Sequence, residues 1–479
     1  MLAELRRPPR VLAALAGIPG LYLVGGYLRE LYRGGQSQDI DLVAPQPLAP
    51  VLAAIAETLG VQPFEMNQRF QTYRFEHGGL HIDLTPLHED GLAADLARRD
   101  YTVNTLAVPL ARLGAQLSAD DVQAHALAFV DLEQGVLRML SAENLADDPL
   151  RIMRGYRLAA CEGLKPEPQT RAAWAALAAH VTESAAERLH EELLAWLGRA
   201  SQVAETLRWC AEDGVLWQLL PPQQQCVGCE QNGYHHLDVW QHTLEALAQF
   251  DAMHAQLPAE LAPWRRELAE AWDKPVSGMA NAGTLTRLAL LLHDIGKPAT
   301  RALEADGHIS FHEHQRVGVE LAGELLSRLK FAGAEIDYVS LLVQEHLRLG
   351  FYSEHAPLPP RLVYRFTLRL GAATPLALLH ALADCAATRG PLNDGKLAEH
   401  LRAAAEILSH YYAQDVVAAP PVLLDGHAIM QLLSIGAGPE VGRLKAALLE
   451  ATAVGEVKSV KQAAALLRRL HQQQPGGAE

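Results

Sequence analysis

The pattern of apolar residues changes near residue 130 of this 479-residue chain. Up to that point, helical patterns alternate with short segments rich in β-branched and aromatic residues, which predict strands: LYLVGG (21–26), DIDLVA (39–44), RFQTYRFEH (69–77) and LHIDLTPL (80–87). From residue 131 onward, segments rich in Ala, Leu and Glu carry apolar residues at i, i+3 and i+4, which predicts helices. A chain of this length is too long for one core. The pattern therefore predicts an α+β fold: a small mixed sheet with helices, followed by an all-α body.

Breaks rich in proline and glycine divide the helical body. Together with the change near residue 130 they predict four domains: a head (1–130), a helical neck (131–220), a second helical domain (221–400) and a helical tail (401–479). The tail segment 442–470 carries six lysines and arginines against two glutamates. This segment is either a solvated helix face or a surface that binds an RNA backbone.

Charge and cysteine content narrow the class of protein. The formal net charge of −15 argues against broad nucleic-acid affinity, although a local basic groove is compatible with it. Five cysteines are few and odd in number, which is typical of a reducing cytoplasm, and the CxxC at Cys226 and Cys229 lacks the second pair that a zinc site needs. The N-terminal segment lacks a convincing cleavage site, and the apolar runs are shorter than a membrane span. We expect a cytoplasmic protein outside the membrane; the sequence predicts no oligomeric state.

Asp39 and Asp41 occupy alternate positions of a predicted strand, so their side chains share one face. Carboxylates at this spacing repel each other unless a cation lies between them, and hard divalent ions such as Mg²⁺ prefer oxygen ligands. Two such ions can activate an attacking hydroxyl and stabilise a leaving oxygen in phosphoryl transfer. The preceding Gly25 and Gly26 let the backbone approach a phosphate, and Arg29 supplies a forked donor. A strand end with two solvated acids is the alternative.

The stretch from Tyr22 to Ala44, read as GG-x(2)-R-E-x(8)-D-x-D, resembles the signature of polymerase-β-type nucleotidyltransferases. The resemblance is specifically to the class II CCA-adding and bacterial poly(A) polymerase family. Glu30 stands where that family usually has aspartate. The resemblance implies catalytic magnesium on Asp39 and Asp41, with Asp83 of HIDL as a candidate third catalytic carboxylate.

RRDYTVNTLA (98–107) resembles the RRDxxxNA element of the same family. In that element arginine and asparagine contact the triphosphate and ribose, and the aspartate takes the sugar 2′-hydroxyl. The resemblance implies nucleotide binding by four residues here: Arg98, Arg99, Asp100 and Asn104. An ion pair at a helix end is the alternative for the Arg-Arg-Asp sequence.

DDPLRIMRGYRLAA (147–160) resembles the EDxxR element, in which a carboxylate and a guanidinium pair with the incoming base in place of a template. The resemblance implies this role for Asp148 and Arg151, and Arg154 joins them as a nucleotide-binding candidate. AERLHEEL (186–193) is similar to the family's neck motif, and this similarity implies three structural supports: Glu187, Arg188 and Glu191.

Only thirteen residues, TPLHEDGLAADLA, separate the HIDL strand from Arg98. Full CCA-adding members carry a longer flexible loop here, which helps to switch the pocket from CTP to ATP. The short connection resembles enzymes that add only the two cytidines.

LLHDIGKPAT (291–300) places adjacent His and Asp side chains on a helix, and mixed nitrogen and oxygen ligands suit a transition metal. The ordered set H…HD…H…H…D resembles the HD-domain phosphohydrolases. It implies a centre for Mg²⁺ or a divalent transition metal with six ligands: His242, His293, Asp294, His314, His346 and Asp384. His314 is preferred to His312 because it lies three residues after Phe311, as in related FxxH segments. The segment 423–448 is similar to the tail of HD-containing members of the CCA family.

These resemblances predict a template-independent nucleotidyltransferase that adds CMP to tRNA 3′ ends from CTP. The product is CC, or full CCA if ATP is also used. The HD domain is predicted to be of the metal-dependent phosphatase or phosphodiesterase type. Three alternatives stay open: an A-adding enzyme, a poly(A) polymerase of the same fold, and an HD phosphohydrolase whose head mainly binds RNA.

Overall fold

The computed structural model describes residues 1, 5, 7–67, 71–114, 118–200, 203–393, 395–413 and 421–473. The chain forms two compact units. The first comprises Met1–Ser201 and Thr206–Leu219, and the second comprises Gln202–Glu205 and Leu220–Glu479. The finer division into head, neck, HD domain and tail stays a prediction.

A mixed sheet forms the centre of the first unit. Its strands are β1 (Tyr22–Val24), β2 (Asp39–Ala44), β3 (Phe64–Asn67), β4 (Thr72–His77), β5 (Leu80–Pro86) and β6 (Ala107–Pro109), in the order β3–β4–β5–β2–β1–β6. β2 and β5 are parallel, and the other neighbours are antiparallel. Two-residue strands β7 (Val136–Leu137) and β8 (Lys165–Pro166) also pair.

Alternation along β2 explains its place in the sheet. Ile40 and Leu42 are buried on one face, whereas Asp39 is exposed and Asp41 partly buried on the other. A small apolar cluster that includes Val24, Val43 and Leu92 lies around the strand ends. The sheet therefore buries one face and presents its carboxylates on the opposite face.

The helices of the first 219 residues surround this sheet and extend the chain beyond it. They are α1 (Arg10–Leu15), α2 (Gly26–Tyr32), α3 (Ala49–Leu59), α4 (Leu92–Ala97), α5 (Ala128–Gln134), α6 (Ala142–Asp147), α7 (Leu150–Glu162), α8 (Pro168–Ala176), α9 (Ala186–Arg199), α10 (Val203–Glu212) and α11 (Val215–Leu219). The side chain of Ser141 caps α6 by accepting from the Asn144 backbone N–H.

The second unit is helical except for one short hairpin, β9 (Arg301–Leu303) and β10 (Ile309–Phe311), among the residues described. Its helices are α12 (Val239–Ala255), α13 (Arg265–Asp273), α14 (Ala282–Leu292), α15 (Lys297–Thr300), α16 (His314–Arg328), α17 (Gly333–Glu345), α18 (Arg348–Ser353), α19 (Pro360–Leu370), α20 (Thr374–Ala387), α21 (Lys396–Tyr412), α22 (Gly426–Leu433), α23 (Pro439–Ala453) and α24 (Val460–Gln472). Every residue of α14 is buried, so this helix is the centre of the unit.

The last three helices have a small apolar core of their own, which includes Ile429, Leu444 and Leu467. This core explains how the predicted tail folds despite its charged surface. The basic character of that surface stays a candidate feature for RNA binding.

One helical stretch, Pro360–Ala387, is apolar and long enough to cross a membrane by length and composition, with mean hydropathy 1.4. Of that window, 83% is buried inside the protein, as expected for a core helix.

The predicted α+β architecture is confirmed, and the four predicted strands correspond to β1, β2, β4 and β5. The sequence patterns missed β3 and β6, which are short and pair at the two edges of the sheet. They also missed the short pairs β7–β8 and β9–β10 in the helical body. Strands of two to four residues are too short to show a clear period of two.

Candidate functional site

Strand pairing brings three acidic side chains of the head to one face of the sheet. In the parallel pair β2–β5, Asp41 lies opposite Asp83 and Asp39 lies opposite His81. Residues paired in this way project to the same side, and Asp39 and Asp41 share that side because a strand has period two. The structure therefore assembles the predicted catalytic carboxylates Asp39, Asp41 and Asp83.

The double glycine lies beside these carboxylates. Gly25 has a φ of 73°, and a Cβ there would lie 3.0 Å from Arg99 Nη1 and 3.4 Å from Asp41 Oδ2. The backbone N–H of Gly25 donates to the Leu106 carbonyl, which continues the pairing of β1 with β6 by one residue. Glycine is required here by both conformation and space. The result is a cradle of backbone, one arginine and one carboxylate, of a shape suited to a phosphate group.

The carboxylates fit a divalent cation. Burial and the neighbouring Asp83 and Asp39 raise the pKa of Asp41, against the opposing effect of Arg99 and Arg154. A hard cation among these oxygens would remove the repulsion that raises this pKa. The donor set, all oxygen, suits Mg²⁺.

Arg29 makes its contacts inside the protein in this structure. Its side chain is buried and donates to Asn104 Oδ1, and it forms ion pairs of 3.2 Å with Glu30 and 3.4 Å with Glu162. Burial and the neighbouring Glu162 raise the pKa of Glu30. The guanidinium thus holds the predicted ribose contact, Asn104, in place. Direct contact between Arg29 and a nucleotide stays a prediction.

Asp100 and Asn104 belong to one buried hydrogen-bond network with Arg154. Asn104 Nδ2 donates to Asp100 Oδ1 at 2.9 Å, and Arg154 Nη1 donates to Asp100 Oδ2 at 3.1 Å. Burial alone would raise the pKa of Asp100, but Arg154 and the donors Asn104 and Tyr101 outweigh it and lower this pKa. The Asp100 carboxylate is therefore favoured in its ionised form and is held as an acceptor by Asn104 and Arg154.

The predicted base readers lie at the start of α7. Asp148 forms an ion pair of 3.1 Å with Arg188 of α9, whereas Arg151 Nη1 donates to the carbonyls of Arg98 at 2.9 Å and Asn144 at 2.7 Å. Both groups are partly exposed at their free edges. Arg98 is exposed, so its side chain is available to an anionic ligand.

Gly155 allows α7 to pack closely on the segment that follows Asp100. A Cβ at Gly155 would lie 2.2 Å from Tyr101 Oη and 2.3 Å from the Trp174 ring. In the same contact, Tyr101 Oη donates to the Arg151 carbonyl at 2.7 Å and accepts from Trp174 Nε1 at 3.1 Å. The helix with the base readers is therefore packed directly on the segment that carries Asp100.

The neck supports differ from the prediction at two of the three positions. Arg188 makes the contact expected of a support, but Glu187 and Glu191 are exposed. Glu192 takes the supporting role, with ion pairs of 3.5 Å to Arg154 and 2.6 Å to Arg157. The helical period explains the difference, because Glu192 lies one turn after Arg188 on the face that packs against α7.

The histidine and aspartate residues of the second unit form two adjoining clusters. Each cluster has ligand atoms within 4.8 Å of one another: His242, His293 and Asp294 in the first, and Asp294, His314 and His346 in the second. All are buried. Asp384 completes the first cluster, since its Oδ1 lies 2.9 Å from His242 Nε2 and 3.7 Å from His293 Nε2.

Asp294 belongs to both clusters and supplies a different oxygen to each. Its Oδ2 lies 3.1 Å from His293 Nε2, and its Oδ1 lies 3.5 Å from His314 Nε2 and 3.8 Å from His346 Nε2. Oδ1 is buried without a hydrogen-bond partner. A buried, unpartnered carboxylate oxygen among imidazole nitrogens fits a metal ligand.

Backbone carbonyls orient three of these imidazoles. Nδ1 contacts the carbonyl three residues earlier in each case: Leu290 for His293 at 2.8 Å, Phe311 for His314 at 2.9 Å and Val343 for His346 at 2.7 Å. A proton on Nδ1 leaves the Nε2 lone pair directed into the cluster. His312 is 85% exposed at its side chain, so the structure brings His314 and not His312 to the centre.

The motif search missed three residues at this centre. Lys297 Nζ donates to Asp294 Oδ2 and Gln231 Oε1, both at 2.7 Å. The ring of His380 packs edge-on to His293, and the ring of His235 packs edge-on to His242. Lys297 was visible in the sequence as the lysine of HDIGK, but the two histidines become neighbours only through helix packing.

Comparison with known proteins shows the family to which the chain belongs. The HD domain family matches residues 239–388. An A-adding tRNA nucleotidyltransferase of Deinococcus radiodurans is 35% identical, with 96% of this chain and 97% of the relative covered. A CC-adding tRNA nucleotidyltransferase of Thermus thermophilus is 34% identical, with 93% and 92% covered. The structure of the Thermotoga maritima CCA-adding enzyme complexed with tRNA is 18% identical, with a TM-score of 0.60 and 98% of each chain covered.

The fold, together with the carboxylates Asp39, Asp41 and Asp83 on one face of the sheet, defines a class of protein with a nucleotidyltransferase head and an HD domain. The chain belongs to the tRNA nucleotidyltransferase family and is an enzyme of the CCA-adding type. This membership confirms the family predicted from the head motifs and the HDIGK segment.

Proposed function

We propose that this enzyme transfers nucleotides from CTP or ATP to the 3′ end of tRNA without a template. The observation that carries the proposal is the register of β2 and β5, which sets Asp41 opposite Asp83 next to the Gly25 cradle. A site for two cations beside a phosphate cradle is what nucleotidyl transfer requires.

Each predicted site residue has a separate role in the proposed reaction. Asp39, Asp41 and Asp83 would hold the magnesium ions, which would lower the pKa of the attacking hydroxyl and stabilise the leaving oxygen. The Gly25 backbone and Arg99 orient the triphosphate. The terminal 3′-oxygen of the tRNA forms a bond to the α-phosphorus, the bond to the β-phosphate breaks, and pyrophosphate leaves. Positioning and charge stabilisation supply most of the rate in such reactions.

Base choice is assigned to Asp148 and Arg151. A carboxylate accepts from the exocyclic amine that cytosine and adenine share, and a guanidinium donates to ring acceptors. In this structure Arg188 pairs with Asp148 and holds its carboxylate in place. Cytosine and adenine differ in size, so their discrimination depends on the space left around this pair.

We propose CC addition as the specific activity. The connection between β5 and Arg98 consists of residues 87–91 and the short helix α4, which leaves no long loop to remodel the pocket. Addition of the terminal A is the second candidate, because the Deinococcus relative named A-adding is 35% identical over nearly its whole length.

The experiment uses purified full-length protein and three tRNA transcripts, ending at the discriminator base, after C, and after CC. Each is incubated with Mg²⁺ and CTP, ATP or both, and products are read at single-nucleotide resolution. Two cytidines and a stop support CC addition. Adenosine on the CC transcript alone supports the A-adding candidate, and CCA on the shortest transcript contradicts both partial activities. Asp90→Asn, at an exposed carboxylate of the same unit, serves as the matched control for loss of activity in Asp41→Asn.

We also propose that the HD centre is a metal-dependent phosphohydrolase site. The shared Asp294 and the inward-facing histidines support a pair of divalent ions, and Lys297 adds a positive charge next to them. Hydrolysis of a generic phosphomonoester by the protein loaded with Mn²⁺, Ni²⁺ or Mg²⁺ tests this proposal. Activity that persists after His293→Ala with Asp294→Ala would contradict it.

The proposed setting is the cytoplasm, where tRNA, CTP and ATP are available. The basic residues of the tail are proposed to contact the tRNA backbone. A steeper salt dependence of tRNA binding by the wild-type protein than by the double variant Lys458→Ala with Lys461→Ala would support this contact.

A further inference from the structure

The row of residues that contains the catalytic carboxylates continues across two more strands. In the antiparallel pair β4–β5, Arg74 lies opposite Asp83, and in the pair β3–β4, Phe64 lies opposite Arg74. Directly paired residues project to the same face. Asp41, Asp83, Arg74 and Phe64 therefore form one row on the catalytic face, from the centre of the sheet to its edge.

Arg74 holds Asp83 through a two-pronged ion pair. Nε donates to Oδ1 at 2.7 Å and Nη2 donates to Oδ2 at 2.8 Å. Such forked pairing fixes the plane of a carboxylate as well as its charge. Both side chains keep about a quarter of their surface exposed, at 27% and 23%, so the pair lies at the surface of the site.

Phe64 at the end of the row is an exposed aromatic residue. Its exposed fraction is 45%, and that of Met66 on the same edge strand is 47%. An exposed aromatic ring next to an arginine and a catalytic carboxylate is the arrangement on which nucleic-acid bases stack.

The geometry of the reaction indicates which substrate binds at the β3 edge of the sheet. In an in-line displacement the attacking hydroxyl and the leaving pyrophosphate lie on opposite sides of the reacting phosphorus. The triphosphate cradle, Gly25 and Arg99, lies at the β1 side of Asp41. The attacking 3′-hydroxyl must therefore come from the opposite side, across β5, β4 and β3. Neighbouring strands are about 4.8 Å apart, so Phe64 lies about 10 Å from Asp83, within reach of the base whose sugar carries that hydroxyl.

We propose that Phe64 and Arg74 form the acceptor side of the active site. The Phe64 ring stacks on the 3′-terminal base of the tRNA. Arg74 is a positioning residue, which holds the Asp83 carboxylate towards the terminal hydroxyl. This inference rests on the nucleotidyl-transfer function proposed above and names the surface that receives the second substrate.

Stacking is tested directly with a tRNA transcript that ends in 2-aminopurine at the discriminator position. Stacking on an aromatic ring quenches the fluorescence of this base. Wild type and Phe64→Tyr are expected to quench it on binding, and Phe64→Ala is expected to bind with little quenching. Equal quenching by Phe64→Ala and wild type would overturn the proposal. Val130→Ala is the matched control, because Val130 is a 42% exposed apolar side chain on α5 of the same unit.

Kinetics separate the acceptor side from the nucleotide side. Phe64→Ala is expected to raise the KM for tRNA about tenfold, with the KM for the nucleotide within about twofold of wild type and with recovery in Phe64→Tyr. An unchanged KM for tRNA, or an equal rise in both constants, would overturn the role of Phe64.

The role of Arg74 is tested by its coupling to Asp83. Arg74→Gln is expected to lower kcat in the wild-type background and to have little further effect in Asp83→Asn. Independent, additive effects of the two substitutions would overturn the positioning role. If wild type extends none of the transcripts, the proposed function fails. If wild type is active and Phe64→Ala behaves identically, only this inference fails.

Discussion

The carboxylate row of the head and the HD centre hold their acidic groups in different ways. In the head, protein cations lie against partly exposed carboxylates, as in the pair Arg74–Asp83. In the HD centre the acids are buried among imidazoles whose Nδ1 atoms contact backbone carbonyls, and Lys297 supplies the nearby positive charge.

This difference separates two kinds of metal chemistry. In the head, Asp83 is paired with Arg74, whereas the pKa of Asp41 is raised by burial and by the neighbouring acids; we expect ions to arrive and leave there with each nucleotide. In the HD centre Lys297 and His293 compensate the charge of Asp294, and several nitrogen lone pairs face inward, which would favour resident ions. The largest expected effect comes from substitutions of the head carboxylates.

Asp39→Asn with Asp41→Asn removes the charges that hold the ions in the head. We expect nucleotide incorporation on tRNA to fall by about a thousandfold or more, because positioned charge supplies most of the rate. The metal content of the HD centre should be unchanged. Single-turnover extension assays and elemental analysis of the same preparations give both readouts. A residual rate within tenfold of wild type would show that these carboxylates do not carry the reaction.

His293→Ala with Asp294→Ala removes ligands from the HD centre. We expect the double variant to bind no transition metal under conditions in which wild type binds one, while tRNA extension stays within about twofold of wild type, since the two centres lie in separate compact units. His312→Ala, at an exposed histidine close to His314 in sequence, is the matched control and should retain the metal. Full metal content in the double variant would contradict the assigned ligand set.

Glu192→Ala tests how much the ion pairs between α9 and α7 stabilise the first unit. It leaves Arg154 and Arg157 without this partner, and we expect the free energy of unfolding of the first unit to fall by about 1–3 kcal/mol. The exposed Glu191 offers a control at the adjacent position, and Glu191→Ala should change stability by less than about 0.5 kcal/mol. Denaturant unfolding measures both. Equal effects would show that ion pairing at position 192 contributes nothing specific.

The smallest expected effect concerns the raised pKa of Asp41. A carboxyl whose folded-state pKa is above its unfolded value stabilises the protein when protonated, and this stabilisation is lost as pH rises through the folded pKa. At neutral pH without divalent ions, Asp41→Asn should therefore raise the midpoint of thermal unfolding by about 2–4 °C. The difference should shrink at pH values where Asp41 binds a proton, and on addition of Mg²⁺. A difference independent of both pH and Mg²⁺ would contradict this account.

The sequence predicted those parts of the site that depend on local periodicity. The shared face of Asp39 and Asp41 follows from the strand repeat, and the choice of His314 over His312 agrees with its place at the start of α16. Family membership was equally visible, because the head motifs occur in the expected order.

Residues that meet through strand pairing or helix packing were not predictable in this way. Arg74 reaches Asp83 only because β4 and β5 pair in one register, and Phe64 joins them through a third strand that was too short to recognise. Glu192 required knowledge of which face of α9 packs on α7. Each of these contacts depends on residues far apart in sequence, whose relative position no local period encodes.

The close approach at Gly155 has a consequence for how nucleotide preference can evolve. Any larger side chain there would push α7 away from Tyr101 and Trp174, and with it both Arg151 and Arg154. If Arg151 reads the base and Asp100, which Arg154 contacts, binds the sugar, as predicted, recognition of both would then be altered in a single step. A lineage that changes its preferred nucleotide is therefore expected to exchange side chains on the surface of α7. The backbone of this helix is expected to stay in place, because Gly155 has no Cβ and so allows the close packing.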